Sequence, residues 1–166
     1  CVVIGCGGVG LAAIQGCRIA GASRIVAVDT QGWKLELAKS LGATDGINAK
    51  ESDALMQLHG LIPGGVDYSF ECLGAKQTAA QAFGMIKKGG TAIMVGVVPI
   101  GQNIELPGLD LVLSGKTVIG SMMGDNRFRT DMPRYVDFYL SGQLKLDEMI
   151  SARLKLDQVN HAFDEM

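Results

Sequence analysis

The sequence predicts an α/β fold in which helices flank a doubly wound, parallel sheet of six strands. Short apolar runs alternate with helix-like patterns along all 166 residues, and this alternation is typical of βαβ units. The first run, residues 1–4, is continuously apolar, as expected of a strand that is buried on both faces. We therefore expect one domain over residues 1–166, with the strand order 3-2-1-4-5-6.

The remaining strands and the first helices follow from apolar spacing and from glycine or proline punctuation. Strands are expected at residues 24–29, 45–48, 66–71, 91–95 and 117–119. Helices are expected at residues 9–20, 52–61 and 77–86, and a further one ends at Leu41 before Gly42. A turn is expected at Pro63, Gly64 and Gly65.

Two more helices are expected near the C-terminus. Asp131 is predicted to cap the first of them, with Pro133 in its first turn and Gly142 at its end. Asp157 is predicted to cap the second. One face of that helix is expected to carry Val159, Ala162, Phe163 and Met166.

Composition excludes several classes of protein. Apolar residues make up 48% of the chain, so a sizeable core is possible and disorder is not expected. A formal net charge of −2 gives no basic footprint for nucleic acid. The longest apolar stretch, residues 1–14, is broken by glycines and is too short to span a membrane. We expect a cytoplasmic protein, and expect this chain to be part of a longer polypeptide because it opens directly on a strand.

The cysteines do not form a metal-binding pattern. Cys1, Cys6, Cys17 and Cys72 include no Cys-x-x-Cys pair, and both histidines lie far from them in sequence. We therefore predict no metal ligands in this chain and interpret the cysteines as free thiols in a reducing compartment.

A glycine-rich loop follows the first strand and opens the first helix. It reads Gly5-Cys6-Gly7-Gly8-Val9-Gly10, the spacing of the dinucleotide-binding loop in Rossmann folds. Gly5 would allow the tight turn, Gly7 the approach of a pyrophosphate, and Gly10 close packing of helix on strand, while Gly8 adds a bare amide. The helix N-terminus offers free N–H groups to phosphates. A turn without a ligand is the structural alternative, and Cys6 is either a redox thiol or a bystander.

Asp29 closes the second strand, close to the interval of about 20 residues at which an acidic residue meets the adenosine ribose. A carboxylate there would accept hydrogen bonds from the ribose hydroxyls and repel a 2′-phosphate. The sequence therefore favours NAD over NADP. The structural alternative is that Asp29 only caps the following helix.

Several runs resemble the zinc-dependent alcohol dehydrogenases of the medium-chain dehydrogenase/reductase family, nearest to the branch of glutathione- or mycothiol-linked formaldehyde dehydrogenases. They are CVVIGCGGVG at 1–10, KSLGATD at 39–45, ECLG at 71–74, VGV at 95–97 and LVLSGKT at 111–117. The resemblance covers the whole chain in order. It implies an NAD-dependent oxidoreductase that transfers a hydride between a primary or secondary alcohol and NAD.

The resemblance also implies further coenzyme contacts. Lys34 would reach the adenosine ribose, and Cys72 and Leu73 would line the adenine side of the cleft. The nicotinamide end would meet the backbone of Val95, Gly96 and Val97 and would lie beside Ser121, Met122 and Met123. The structural alternatives are ordinary strand valines, an exposed helix lysine and methionines that fill the core. Arg127 and Arg129 are interpreted as solvated loop residues, with contact to an anionic group as the functional alternative.

The family's catalytic zinc is held by cysteine and histidine ligands in another domain, so this chain alone is expected to be inactive. A zinc-free NAD(P)H reductase of the same superfamily, an S-adenosylmethionine-dependent methyltransferase and a non-catalytic NAD-sensing domain are the alternatives. The expected partners are a small alcohol or aldehyde and a second copy of the chain, which pairs through the apolar segment that begins at Asn103 and ends at Leu113.

Overall fold

A computed structural model describes residues 1–164. It confirms the doubly wound α/β fold, with six strands in the order β3-β2-β1-β4-β5-β6. Every described strand pair is parallel. The strands are β1 (Val2–Ile4), β2 (Val26–Asp29), β3 (Asp45–Asn48), β4 (Val66–Glu71), β5 (Ile86–Met94) and β6 (Thr117–Gly120).

In the described part of the chain, five helices connect the strands and cover both faces of the sheet, and two more follow the last strand. They are α1 (Gly8–Ile19), α2 (Gly32–Leu41), α3 (Ala54–Leu61), α4 (Lys76–Met85), α5 (Gly108–Leu113), α6 (Phe128–Leu140) and α7 (Val159–Asp164). Short 3-10 segments lie at Met123–Asp125, Asp147–Met149 and Leu156–Gln158. No helix among residues 1–164 is both long and apolar enough to cross a membrane.

Alternate residues of the central strands point to opposite layers of the core. Val2 and Ile4 pack with α3 and α4, whereas Val3, between them, packs with α1 and α2. The connections therefore change face between β1 and β4, the two neighbouring central strands. In open α/β sheets, such a change of face leaves a crevice at the carboxyl ends of the strands, where ligands bind.

The boundary between α4 and β5 differs from the prediction. The helix ends at Met85, and Ile86 already pairs with Val66, whereas the regular ladder resumes only at Thr91 opposite Tyr68. Gly89 has a φ of +71° within this irregularity, a conformation that glycine adopts without steric cost. An irregular stretch therefore extends the strand to the N-terminal side of the predicted start at residue 91.

The two predicted caps near the C-terminus were wrong. Helix α6 begins at Phe128 after Arg127, and Asp131 accepts a hydrogen bond from the Arg127 N–H at 2.8 Å, so it closes the first turn from inside the helix. Pro133 consequently lies within the helix rather than in its first turn. Asp157 lies inside a 3-10 segment and not at the start of α7.

The end of α6 agrees with the prediction, because Gly142 follows it with a φ of +73°. Met166, expected on the apolar face of the last helix, lies outside the described residues.

The segment after α6 packs back on α1. The buried side chain of Gln15 donates to the carbonyl oxygen of Lys145 at 3.0 Å and accepts from its N–H at 2.7 Å. Arg18 donates to the carbonyl oxygen of Gln143. These contacts join the C-terminal segment to the layer formed by α1 and α2.

Candidate functional site

The predicted site residues gather at one edge of the sheet. Gly5 follows β1, Asp29 ends β2, Cys72 follows β4, Val95 follows β5 and Ser121 follows β6. All of these positions lie at the carboxyl ends of their strands. Because the strands are parallel, those ends meet at the same edge of the sheet. The structure therefore brings together residues that are up to 116 positions apart in the numbering of the chain.

Two glycines of the loop are required by the fold itself. Gly5 has a φ of +91°, which turns the chain sharply after β1, and its N–H donates to the carbonyl oxygen of Val28 at 2.8 Å. At Gly10, a Cβ atom would overlap the carbonyl oxygen of Gly5. The absence of a side chain at Gly10 thus allows α1 to approach the end of β1.

Two other glycines of the loop are not required by the fold. A Cβ atom on Gly7 or Gly8 would have no non-neighbouring heavy atom within 4 Å. Gly7 has φ −78° and ψ −172°, which any residue can adopt. The space beside these glycines is open, so it can admit a group from outside the chain.

The same place carries the N-terminus of α1. No side chain caps this helix, and its first turn holds no acidic residue. The first N–H groups of a helix lack partners within the helix and carry a partial positive charge. Open space, bare glycines and uncapped N–H groups together fit a pyrophosphate.

The Asp29 carboxylate is held across the loop. One oxygen accepts a hydrogen bond from the N–H of Cys6 at 2.8 Å, and the other accepts from the N–H of Gln31 at 2.9 Å. Helix α2 has Gln31 as its N-cap residue, so Asp29 is not the N-cap of that helix. The carboxylate is only half-buried and can accept further hydrogen bonds at the cleft.

Lys34 lies in the first turn of α2, and its Nζ atom is 5.6 Å from the ring centre of Trp33. Trp33 is the one tryptophan of the chain and is 63% exposed. No pattern in the sequence identified Trp33 as a candidate site residue, because its position relative to Asp29 depends on the residue at which α2 begins.

The thiols of Cys6 and Cys72 are not activated. Burial, and then the nearby carboxylate of Asp29, raises the pKa of Cys6 to about 12. Burial, and then Glu71, raises the pKa of Cys72 to about 12. Both groups are thiols at neutral pH, whereas redox chemistry proceeds through the thiolate. Cys6 contributes to the loop through its backbone N–H, which holds Asp29.

The loops after β4 and β5 form the wall beside the glycine loop. A Cβ atom on Gly5 would lie 3.4 Å from the carbonyl carbon of Cys72, so the two loops are packed against each other. Leu73 next to it is exposed. Strand β5 ends at Met94, and Val97 is 79% exposed, so Val97 is not an ordinary strand residue.

The loop after β6 presents two methionines. Ser121 donates its N–H to the carbonyl oxygen of Met94 at 2.9 Å, which keeps this loop next to the end of β5. Met122 is 73% exposed and Met123 is 84% exposed. They are therefore not core residues, which was the structural alternative for them. Arg127 and Arg129 are exposed as well, but Arg129 lies in the first turn of α6 and not, as predicted, in a loop.

Glu71 is a buried acid at the same edge, and the sequence did not identify it as a site residue. Its carboxylate accepts hydrogen bonds from the N–H groups of Leu73 and Gly74 at 3.0 Å and 2.9 Å and from the hydroxyl of Thr78 at 2.7 Å. The signal that could have revealed it is an acidic residue at the last position of a central strand, the same place that Asp29 occupies in β2.

Within residues 1–164, no three His, Cys, Asp or Glu side chains are grouped so that they could hold a metal ion. The fit to a dinucleotide rests instead on the open space at Gly7 and Gly8, the start of α1 and the carboxylate of Asp29.

Comparison with known proteins agrees with this geometry. Residues 8–141 match the family model described as zinc-binding dehydrogenase. A class-3 alcohol dehydrogenase of Myxine glutinosa is 41% identical over 169 residues, which cover 100% of this chain and 45% of that protein.

Solved structures show the same fold. The benzyl alcohol dehydrogenase of Acinetobacter calcoaceticus superposes with a TM-score of 0.95 at 32% identity, covering 99% of this chain and 45% of that one. A Sinorhizobium meliloti 1021 protein solved with NADP bound gives a TM-score of 0.91 at 33% identity, covering 97% and 47%. The chain thus spans less than half the length of these relatives. By the family model, the fold and the glycine loop together, it belongs to the zinc-binding dehydrogenases.

Proposed function

We propose that this chain is the coenzyme-binding domain of an NAD-dependent, zinc-assisted alcohol or aldehyde dehydrogenase. The observation that carries the proposal is the open space at Gly7 and Gly8, beside the uncapped start of α1 and the fixed carboxylate of Asp29. Folding alone does not explain the absence of side chains there. A pyrophosphate on the helix N-terminus and a ribose on Asp29 do.

The other predicted residues have matching roles. Lys34 would add a positive charge near the adenosine ribose. Cys72 and Leu73 would line the adenine side of the cleft. Backbone groups of Val95, Gly96 and Val97 would hold the nicotinamide end, and the exposed Met122 and Met123 would shield it from water, together with Ser121. When bound, the coenzyme supplies the hydride acceptor. The zinc ligands and most of the substrate pocket would come from parts of the protein outside this chain.

Asp29 supports NAD rather than NADP as the coenzyme. Two backbone N–H groups fix the carboxylate, from Cys6 on one side and Gln31 on the other. Moving it aside to admit a 2′-phosphate would break both hydrogen bonds, and leaving it in place would set two negative charges against each other. The zinc-free NAD(P)H reductase is the second candidate. Tighter binding of NADPH than of NADH would favour it.

Replacing Asp29 by asparagine tests this assignment in the full-length protein. We expect NADH to bind at least about tenfold more weakly, because the amide accepts weaker hydrogen bonds from the ribose hydroxyls and its NH2 group must face the N–H of either Cys6 or Gln31. We expect the preference for NADH over NADPH to fall by at least about tenfold, since the repulsion is removed. Calorimetric titration with both coenzymes measures the two constants.

The matched control is Asp53→Asn, at the N-cap of α3, where Asp53 accepts a hydrogen bond from the Met56 N–H at 2.9 Å. Asparagine caps helices as well as aspartate does, so neither stability nor affinity should change. An unchanged preference for NADH in the Asp29 variant would contradict the proposal.

We also propose that the protein forms a homodimer through the edge of the sheet at β6. This strand has no partner on its outer side among the described residues, and an open strand edge can pair with another chain. Beside it, α5 lies within the segment from Asn103 to Leu113. Its large apolar side chains Leu109, Val112 and Leu113 are 73–76% exposed.

A double substitution of Leu109 and Val112 by glutamate is expected to convert the full-length dimer to a monomer. Two like charges on each copy would meet their equivalents across a two-fold axis. Light scattering coupled to size exclusion measures the mass. Met56→Glu is the control, because Met56 is 76% exposed on α3. A wild-type protein that is monomeric, or a double variant that stays dimeric, would refute this interface.

A further inference from the structure

We infer that Glu71 is a positioning residue that fixes the backbone of Val95, Gly96 and Val97 for the nicotinamide end of the coenzyme. This inference rests on the proposed NAD site and adds a residue that does not itself touch the coenzyme. It starts from one feature: a fully buried acid at the carboxyl end of β4, with no ion pair to any described residue.

The hydrogen bonds of Glu71 show what the acid does. Its carboxylate accepts hydrogen bonds from the N–H groups of Leu73 and Gly74, in the turn between β4 and α4, and from the hydroxyl of Thr78, in the first turn of α4. Burying a carboxylate without a cation is costly unless several donors satisfy it. The donors are therefore arranged around the acid, and the turn takes its shape from them.

The backbone carbonyl oxygen of Glu71 binds the loop after β5. It accepts hydrogen bonds from the N–H groups of Val95 and Gly96, both at 2.9 Å. One residue thus contacts the turn after β4 through its side chain and the end of β5 through its backbone. It lies between the two segments.

The two loops also interlock directly. A Cβ atom on Gly96 would lie 2.5 Å from a carboxylate oxygen of Glu71 and would overlap the nitrogen of Gly74. A Cβ atom on Gly74, whose φ is +89°, would lie 2.6 Å from the carbonyl oxygen of Val97. The segment from Val95 to Val97 therefore rests on the Gly74 turn, and the acid holds that turn in place.

The adenosine side is built differently. Asp29 is fixed by Cys6 and Gln31, and none of the hydrogen bonds of Glu71 reaches these residues. Glu71 reaches the adenosine side only through the N–H of Leu73, so a disturbance at Glu71 should weaken the binding of the nicotinamide more than that of adenosine diphosphate ribose. A residue that only stabilised the fold would affect both ligands alike.

The test compares NADH with ADP-ribose, which lacks the nicotinamide, in the full-length protein. In Glu71→Gln the amide NH2 faces the Gly74 N–H in either orientation, because that nitrogen lies 2.9 Å and 3.1 Å from the two carboxylate oxygens. We expect the affinity for NADH to fall about tenfold and that for ADP-ribose less than about twofold. Calorimetry measures both constants.

Three further variants complete the design. Thr78→Val removes one donor and should give a smaller shift in the same direction, and Thr78→Ser, which keeps the hydroxyl, should restore the wild-type ratio. Ser69→Ala is the matched control, since Ser69 is also buried in β4 but donates to Ala82 of α4 at 2.8 Å. It should leave the ratio of the two affinities unchanged.

The outcomes are separable. Equal losses for both ligands, or an unchanged ratio in a folded Glu71→Gln protein, would overturn the inference. If Glu71→Gln does not fold, the ratio in Thr78→Val decides, and a wild-type value there would overturn it as well. A wild-type protein that binds neither ligand would refute the coenzyme site itself, and this inference with it.

Discussion

Replacing Gly7 by alanine is expected to weaken NADH binding about 100-fold while the free energy of unfolding stays within about 1 kcal/mol of wild type. The added methyl group would occupy the open space that the pyrophosphate needs, so binding suffers. The backbone at Gly7 suits alanine, and no non-neighbouring atom lies within 4 Å of the new Cβ. Alanine is a poorer N-cap residue than glycine, which lowers the stability. It also reduces the conformational entropy of the unfolded chain, which raises the stability.

The control for this substitution is Gly16→Ala in the same helix. Gly16 is exposed, and its Cβ would also meet no non-neighbouring atom within 4 Å. Alanine should stabilise the helix by about 0.5–1 kcal/mol and leave NADH affinity unchanged. Wild-type affinity for NADH in Gly7→Ala would show that the loop is only a structural turn.

Gly10→Ala is expected to have the opposite profile, with a large loss of stability. Its Cβ would overlap the carbonyl oxygen of Gly5 and would lie 2.9 Å from the carbonyl carbon of that residue. Both atoms belong to the backbone, so no side-chain rotation can relieve the overlap, and α1 must move away from β1. Overpacking typically costs about 1–3 kcal/mol, and we expect a loss at the upper end of that range because the overlap is with backbone atoms.

Urea denaturation of the Gly10 variant measures this loss, with Gly16→Ala again as the reference for an added methyl group in α1. NADH binding should also disappear, because the N-terminus of the helix moves with it. A free energy of unfolding within about 1 kcal/mol of wild type would contradict the close packing of α1 on β1.

The fold could be predicted because its signals are local. Buried strands appear as short apolar runs, and the glycine loop marks the turn after the first of them. The start of β5 could not be predicted in the same way, since residues 87–90 form an irregular stretch that belongs to the strand only because Ile86 pairs with Val66. The prediction of Asp131 as a helix cap was wrong for a similar reason. Asp131 lies inside the helix and accepts a hydrogen bond from the N–H of Arg127, the residue that precedes the helix.

The candidate site was predicted in part. Asp29 was identified from its spacing, but its attachment to Cys6 joins residues 23 positions apart and needed the fold. Glu71 was missed because its role depends on two loops meeting at Gly74 and Gly96. The exposure of Met122 and Met123 likewise follows from where β6 ends, which the sequence pattern alone does not determine.

Calorimetric titration of the full-length wild-type protein with NADH, NADPH and S-adenosylmethionine is the most direct test of the central proposal. We predict that NADH binds with micromolar or tighter affinity, that NADPH binds at least about tenfold more weakly, and that S-adenosylmethionine gives no signal. Tighter binding of NADPH would favour the zinc-free reductase, and binding of S-adenosylmethionine in place of NADH would contradict the assignment of the glycine loop and Asp29 to NAD.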